Sequence, residues 1–299
     1  MRKPWVSILI PAYEEPVGIQ IILDHLEQSK IYEYECLIYD DSESDRVSKT
    51  VKNHNLFSQG KIQYRKNINN LGAVSNWNNL IRDCEGEYLL FMHHDECPLK
   101  SRFFEDLKRL LNNDPSLDLI ILRSALIKEP STRYKFHMPD YMTSFILDKL
   151  PQYLFRRNLI GSPSNIVVKK TKALQFNSEL SWLVDVDWFY RQLLEIDNWF
   201  FCKDLIILSN QNNQGSITKS MRSQIPEIRM KELHTLSKNY KELGIFKLLI
   251  PNTFIGIVLF SIEQFLWASF RGIRLVTDIF SANELPSSFT SYKNFDEKD

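Results

Sequence analysis

Residues 86–98 read Gly-Glu-Tyr-Leu-Leu-Phe-Met-His-His-Asp-Glu-Cys-Pro, GEYLLFMHHDECP. The apolar run Tyr88 to Met92 stops abruptly at two histidines and two acids, His93, His94, Asp95 and Glu96. A run of this length without polar alternation suits a strand buried on both faces, as in a parallel sheet. Open parallel sheets bind ligands beyond the carboxyl ends of their strands. Metal-competent side chains at such a strand end mark a place for an active site. Taken alone, the same four residues are equally well a polar loop after a core strand.

The surrounding chain repeats the pattern. Val6 to Ile10 (VSILI) reads as a buried strand broken by Pro11-Ala12-Tyr13-Glu14-Glu15, and Ile19, Ile22, Leu23 and Leu26 have helical spacing. Tyr34 to Tyr39 is a second strand, ending in Asp40-Asp41-Ser42-Glu43-Ser44-Asp45, whose serines and aspartates suit the cap of a helix over about 46–54. A short third strand at 61–65, a turn at Asn69-Asn70-Leu71-Gly72 and a helix to about Cys84 lead into the opening stretch. Strand alternating with helix predicts an α/β fold with a mostly parallel sheet and right-handed crossovers.

Beyond Pro98, apolar positions 103, 104, 107, 110 and 111 predict a helix over about 102–112, followed by a strand at 117–122. Residues 128–142 mix charges, aromatics and prolines without a period, and read as a long loop over the site. Gly161 to Asn165 precede a strand at 166–168, Trp182 to Phe189 open a helix through Leu194, and 200–209 form the last strand. Residues 210–223 are polar and read as flexible, and the tail after Ser287 reads as disordered. From about Ile225 the pattern is helical. Its most apolar part, 251–280, is interrupted by Glu263 and Gln264 and falls short of the ~20 uninterrupted apolar residues that span a bilayer. Two readings of it stay open, a helix packed on the main domain and an interfacial helix lying on a membrane.

Composition narrows the class. Lys plus Arg equals Asp plus Glu at 37 each in 299 residues, so no global field favours nucleic acid. The four cysteines, Cys36, Cys84, Cys97 and Cys202, form no CxxC pair, which argues against a zinc cage or a disulfide framework. Met-Arg-Lys-Pro-Trp runs directly into a strand rather than a signal-peptide apolar region. The expected location is cytoplasmic, with peripheral contact on the inner face of the cytoplasmic membrane if 251–280 touches lipid.

Four stretches, VSILIPAYEE at 6–15, LIYDDSESD at 37–45, NNLGAVSNWN through GEYLLFMHHDE at 69–96, and WLVDVDWFYRQL at 182–193, resemble the family 2 glycosyltransferases of the GT-A fold in order and spacing. The resemblance implies a GT-A domain over 1–220, with a nucleotide-binding part at 1–97 and an acceptor part at 98–220, and leaves 221–299 as a helical C-terminal region. It implies inverting, metal-dependent transfer of a sugar from a nucleoside-diphosphate sugar to a glycan or polyprenyl-linked acceptor, in bacterial capsule or O-antigen synthesis, with Mn2+ or Mg2+ as cofactor. By the same resemblance Pro11, Ala12, Tyr13 and Glu14 form the first nucleotide loop, Asp41 binds the base, and Asn70 and Gly72 form the turn near base and ribose. Asp95 is the metal ligand and Glu96 the acid beside it. His94 joins the nucleotide-sugar-binding set, although both histidines read as hydrogen-bonded loop residues ahead of direct ligands. An arginine often found in the family five residues after the glycine is Trp77 here. Asp185 takes the general-base position, preceded by Val184 rather than an acid. Asp187 reads as a cap or as the i+4 partner of Arg191. Two other readings remain, a catalytically degenerate binding member of the family and a nucleotidyltransferase on a similar fold.

Overall fold

Among the described residues, nine strands join into one sheet in the order β3-β2-β1-β4-β8-β6-β9-β5, with β7 paired to β6. The computed structural model describes residues 3–127, 134–136, 140–210 and 224–240, with five further positions between 261 and 269. The central strands are β1 (Val6–Ala12) and β4 (Tyr88–Phe91), paired in parallel and buried along their whole length. Apolar side chains on both faces of these strands leave no face for water, so helices must cover each side. On one face Val6, Ile8 and Ile10 pack with Ile19, Ile22 and Leu23 of α1 (Pro16–Gln28), Val47 and Val51 of α2 (Arg46–Asn53), and Phe103, Phe104 and Leu107 of α5 (Phe103–Asn113). On the other, Leu9, Leu89 and Phe91 pack with Leu80 and Ile81 of α4 (Ala73–Asp83) and Trp188 and Phe189 of α7 (Val184–Glu195).

The first half follows the expected alternation. β2 (Tyr34–Asp40) lies parallel to β1, and β3 (Gln63–Lys66) parallel to β2. A short helix not foreseen from periodicity, α3 (Asn55–Ser58), follows α2 and is capped by the His54 ring, which accepts from Leu56 N–H. The second half is mixed. β6 (Leu119–Ile127) and β9 (Trp199–Asn210) are parallel to each other. β8 (Ile166–Lys169) runs antiparallel between β4 and β6, and β5 (Glu96–Pro98) antiparallel to β9.

One expectation is corrected. Residues 128–142 are not a single loop, since they contain β7 (Tyr134–Phe136), antiparallel to the end of β6, and the start of α6 (Asp140–Lys149). Three paired residues are too few to show a period, so this strand has no signature in sequence. The readings for 211–223 and the tail lie outside the described residues, as does 251–280 apart from those five positions. Among those described, no helix is long and apolar enough to cross a membrane. The helix α8 (Ile225–Asn239) inserts Leu236 into the core beside α7.

Candidate active site

The chain steps from β1 outward to β2 and β3, then returns to β4 on the other side of β1. That reversal is a topological switch point, where the loops leaving β1 and β4 separate and open a crevice. The loop after β4 carries His93, His94 and Asp95, and Glu96 opens β5. Gly18 of α1 holds this loop close. A Cβ there would lie 1.6 Å from the His94 carbonyl oxygen, so no side chain fits without moving backbone. Gly161 (φ +117°) lets the loop before β8 turn and deliver two serines to the same place. Ser162 Oγ donates to Glu96 Oε2 at 2.7 Å, and Ser164 Oγ accepts the His93 N–H at 3.0 Å.

His93, Asp95 and Glu96 each offer one ligand atom, and these atoms lie within 4.8 Å of one another. His93 Nε2 is buried without a hydrogen-bond partner. Its ring sits against Trp77 and Phe91, with centroids 5.0 and 6.1 Å away. Burial, with a smaller contribution from His94, pushes the His93 pKa down to about 3 and keeps the imidazole neutral. Burial and the charge of Asp95 push the Glu96 carboxyl in the opposite direction, well above the usual carboxylate range. A neutral imidazole with an orphaned nitrogen beside two carboxyls fits a divalent cation that accepts mixed nitrogen and oxygen ligands. The same cation would relieve the crowded negative charge.

Asp185 and Asp187 stand two residues apart at the start of α7, turned away from each other by about 200° of helix. Asp185 lies close enough to Asp95 for that carboxylate, after burial, to raise its pKa from 3.8 to about 7. Its Oδ1 is buried and unpartnered. Asp187 is wholly buried on another side, where Arg191 Nε donates to Oδ2 at 2.8 Å and Tyr240 Oη to Oδ1 at 3.2 Å. The pairing with Arg191 is the expected one, but a surface pair or cap is not what results.

The other crevice wall is built from the β1, β2 and β3 loops. Pro11 and Ala12 end β1 inside the core, and Tyr13 is half exposed. Glu14 adopts positive φ (51°), and its carboxylate binds the side chain and N–H of Ser44 as well as Arg46. The Ser44 hydrogen bonds hold its pKa down at about 2. Asp41, nearly buried, accepts N–H groups from Asn67 (2.8 Å), Leu71 (2.8 Å) and Gly72 (2.9 Å). It therefore shapes the Asn67–Gly72 turn, and it is Asp45 that stands at the α2 cap position. Asn70 donates to the Asp41 carbonyl, and Gly72 takes the positive φ (78°) that starts α4.

Comparison with known proteins joins this geometry to a family. A model described as glycosyl transferase family 2 matches residues 7–174, more than half of the chain. The chain belongs to that family. A Haemophilus influenzae protein described as an uncharacterized glycosyltransferase is 25% identical over 197 residues, covering 64% of this chain and 62% of that relative. The chain thus spans less than two thirds of that relative's length. Among solved structures, S. aureus TarS 1-349 in complex with UDP-GlcNAc superposes with a TM-score of 0.57 at 16% identity, over 72% of this chain and 60% of the other. The mannosyltransferase PcManGT from Pyrobaculum calidifontis, in complex with GDP-Man and Mn2+, gives 0.51 at 12% identity, over 93% and 87%. At these identities the likeness establishes the fold, which is the GT-A arrangement expected from the sequence.

Within this family 2 chain, the structure brings Asp185 within electrostatic reach of Asp95 and Glu96, and sets Ser162 of the Gly161–Asn165 loop against Glu96. His93 and Glu96 join Asp95, whereas His94, whose Nδ1 is buried and unpartnered, stays outside the cluster. Glu96 had a signal as the acid next to Asp95. His93 reads in sequence as a hydrogen-bonded loop residue; its Nε2 instead has no partner and lies in the cluster, because Trp77 and Phe91 crowd its ring. Asn67, which bridges Asp41 and Asn76, carried no signal in sequence.

Proposed function

We propose that this protein transfers a sugar from a nucleoside-diphosphate sugar to a hydroxyl of a glycan or polyprenyl-linked acceptor, with inversion at the anomeric carbon. The observation that carries the reading is the shared crevice. Asp185, with a free buried oxygen and a pKa near 7, faces the charge of Asp95 inside the His93–Asp95–Glu96 cluster.

His93, Asp95 and Glu96 would hold Mn2+ or Mg2+, which when bound neutralises the leaving diphosphate. Asp185 takes the proton of the acceptor hydroxyl as its oxygen bonds the anomeric carbon and the bond to the diphosphate breaks. A single displacement of this kind inverts the centre. A base poised near pH 7 is matched to that task. Glu14 and Asp41 keep the two nucleotide loops in shape, and Tyr13, Asn70, Gly72 and the carbonyl ends of Pro11 and Ala12 line the donor side. Asp41 still has lone pairs for the N–H of a base, since three donors share two carboxylate oxygens. His94 remains in the donor-binding set by virtue of its position between His93 and Asp95.

The proposed setting is assembly of a bacterial surface polysaccharide, capsule or O-antigen, at the inner face of the cytoplasmic membrane. It rests on the resemblance of the four sequence stretches; the family model and the Haemophilus influenzae relative support glycosyl transfer. Nucleotide release from a panel of sugar nucleotides, with Mn2+, Mg2+ or chelator, tests the reaction. Slow metal-dependent hydrolysis of one donor supports it. Binding of a donor without turnover under any metal would favour a degenerate binding member instead.

A further inference from the structure

The start of α7 is fastened from a distance. Its N-cap residue, Leu183, offers no side-chain hydrogen bond, and the position where a local capping box would put Glu or Gln is Val186. The missing acceptor comes from α8 instead. Glu232 Oε1 accepts Ser181 N–H (2.7 Å) and Ser181 Oγ (2.8 Å), and Oε2 accepts Leu183 N–H (2.8 Å). Trp182 N–H reaches both oxygens at 3.2 Å. Three successive N–H groups thus converge on one buried carboxylate, the concave arrangement by which backbone grips an anion.

Two residues further on is Asp185, whose buried Oδ1 has no partner. No hydrogen bond to that oxygen sets its direction, so the path of residues 181–184 must do so. We infer that Glu232 is a positioning residue for the reaction, holding this turn so that Asp185 faces the crevice, an inference that rests on the proposed role of Asp185. α8 is fit to serve as a fixed post. Leu236 is in the core, and Arg229 Nη2 donates to the Phe155 carbonyl at 2.9 Å. Glu232 lies well beyond residues 7–174, so the helix after the family match completes the site. Small displacements of a reacting group cost rate steeply, as much as ~100-fold for about 1 Å.

The test uses the full chain and four variants, Glu232→Gln, Glu232→Asp, Tyr240→Phe and Asp185→Asn. Glu232→Gln loses half of its acceptor capacity and should release amide-exchange protection at 181–183. Its kcat should fall by about tenfold or more with donor KM within about twofold, the split of a group acting on the catalytic step. Glu232→Asp, one methylene short, should lie between and serves if the glutamine variant does not fold. Tyr240→Phe loosens the same helix pair through Asp187, so it should lower Tm without the kcat loss. Unchanged protection at 181–183, an unchanged kcat, or Glu232 and Tyr240 variants falling on one line of kcat against Tm overturns the inference. Full turnover in Asp185→Asn would instead refute the base assignment, leaving the exchange data to judge the hold of Glu232 on the turn.

Discussion

The rings of Trp77 and His93 lie 5.0 Å apart, centroid to centroid, and tilted by 46°. The indole thereby forms a wall that dries one side of the imidazole. In the proposed metal site, a neutral His93 nitrogen among carboxylates would bias cation choice toward Mn2+ over Mg2+, which holds to oxygen ligands. Paramagnetic Mn2+ should therefore quench indole fluorescence in the wild type more than in Trp77→Phe. His93→Ala should weaken Mn2+ binding by about tenfold or more while hardly changing Mg2+ binding. Equal losses for both ions would show that His93 is not a ligand.

Asp185→Asn removes the proposed base and keeps its shape. Turnover should drop by about 10² to 10⁴, the usual reach of general acid–base catalysis. Donor affinity, measured by titration with the nucleoside diphosphate, should stay within about twofold, because the base addresses the acceptor. A loss of donor affinity with turnover intact would move Asp185 to the donor side.

The same carboxyl makes a pH prediction. With a pKa raised from 3.8 to about 7, the native state keeps a proton that the unfolded chain has released in the interval between. Below that window Asp185 has no effect on stability. Its penalty grows as pH rises through the window and is complete above about pH 7. Without metal, Asp185→Asn should match the wild type near pH 4 and exceed it at pH 8 by on the order of 1 kcal/mol, a value reduced for the partial openness of the site. Thermal melts at the two pH values measure this, and a gain present equally at both would contradict it. Added Mn2+ should shrink the gain at pH 8, since a nearby cation favours the charged form.

Asp187→Asn should divide the other way. Its carboxyl is wholly buried, and burial outweighs Arg191 and Tyr240 in setting its pKa, which is raised. Losing the charge removes part of that penalty but leaves Arg191 short of a partner. The net cost should be about 1–3 kcal/mol, below the full value for a severed buried pair because Arg191 reaches water. Chemical denaturation measures it, and kcat at a permissive temperature should be near normal. If Asp187→Asn loses turnover and Asp185→Asn only stability, the roles are exchanged.

Much of this architecture is legible along the chain. Uninterrupted apolar runs at 6–10 and 88–92 declare strands buried on both faces, and helical spacing at 19–26 and 103–111 declares what covers them. The acids at 41, 95 and 185 stand at strand or helix ends, where local sequence alone marks a break. Such features follow from residue type and period, which act over a few positions. Tertiary structure alone decided the rest, because it depends on groups far apart in sequence arriving at one point. His93 becomes a neutral donor only where Trp77 and Phe91 crowd it, and Glu96 is a high-pKa acid only where Asp95 and the buried end of β5 enclose it. Asp187 turns from a surface pair into a buried one when Tyr240 closes over α7. Glu232 is an ordinary helix glutamate until the 181–183 turn points three N–H groups at it. Burial and charge are fields summed over all neighbours, and no local pattern of residues encodes that sum.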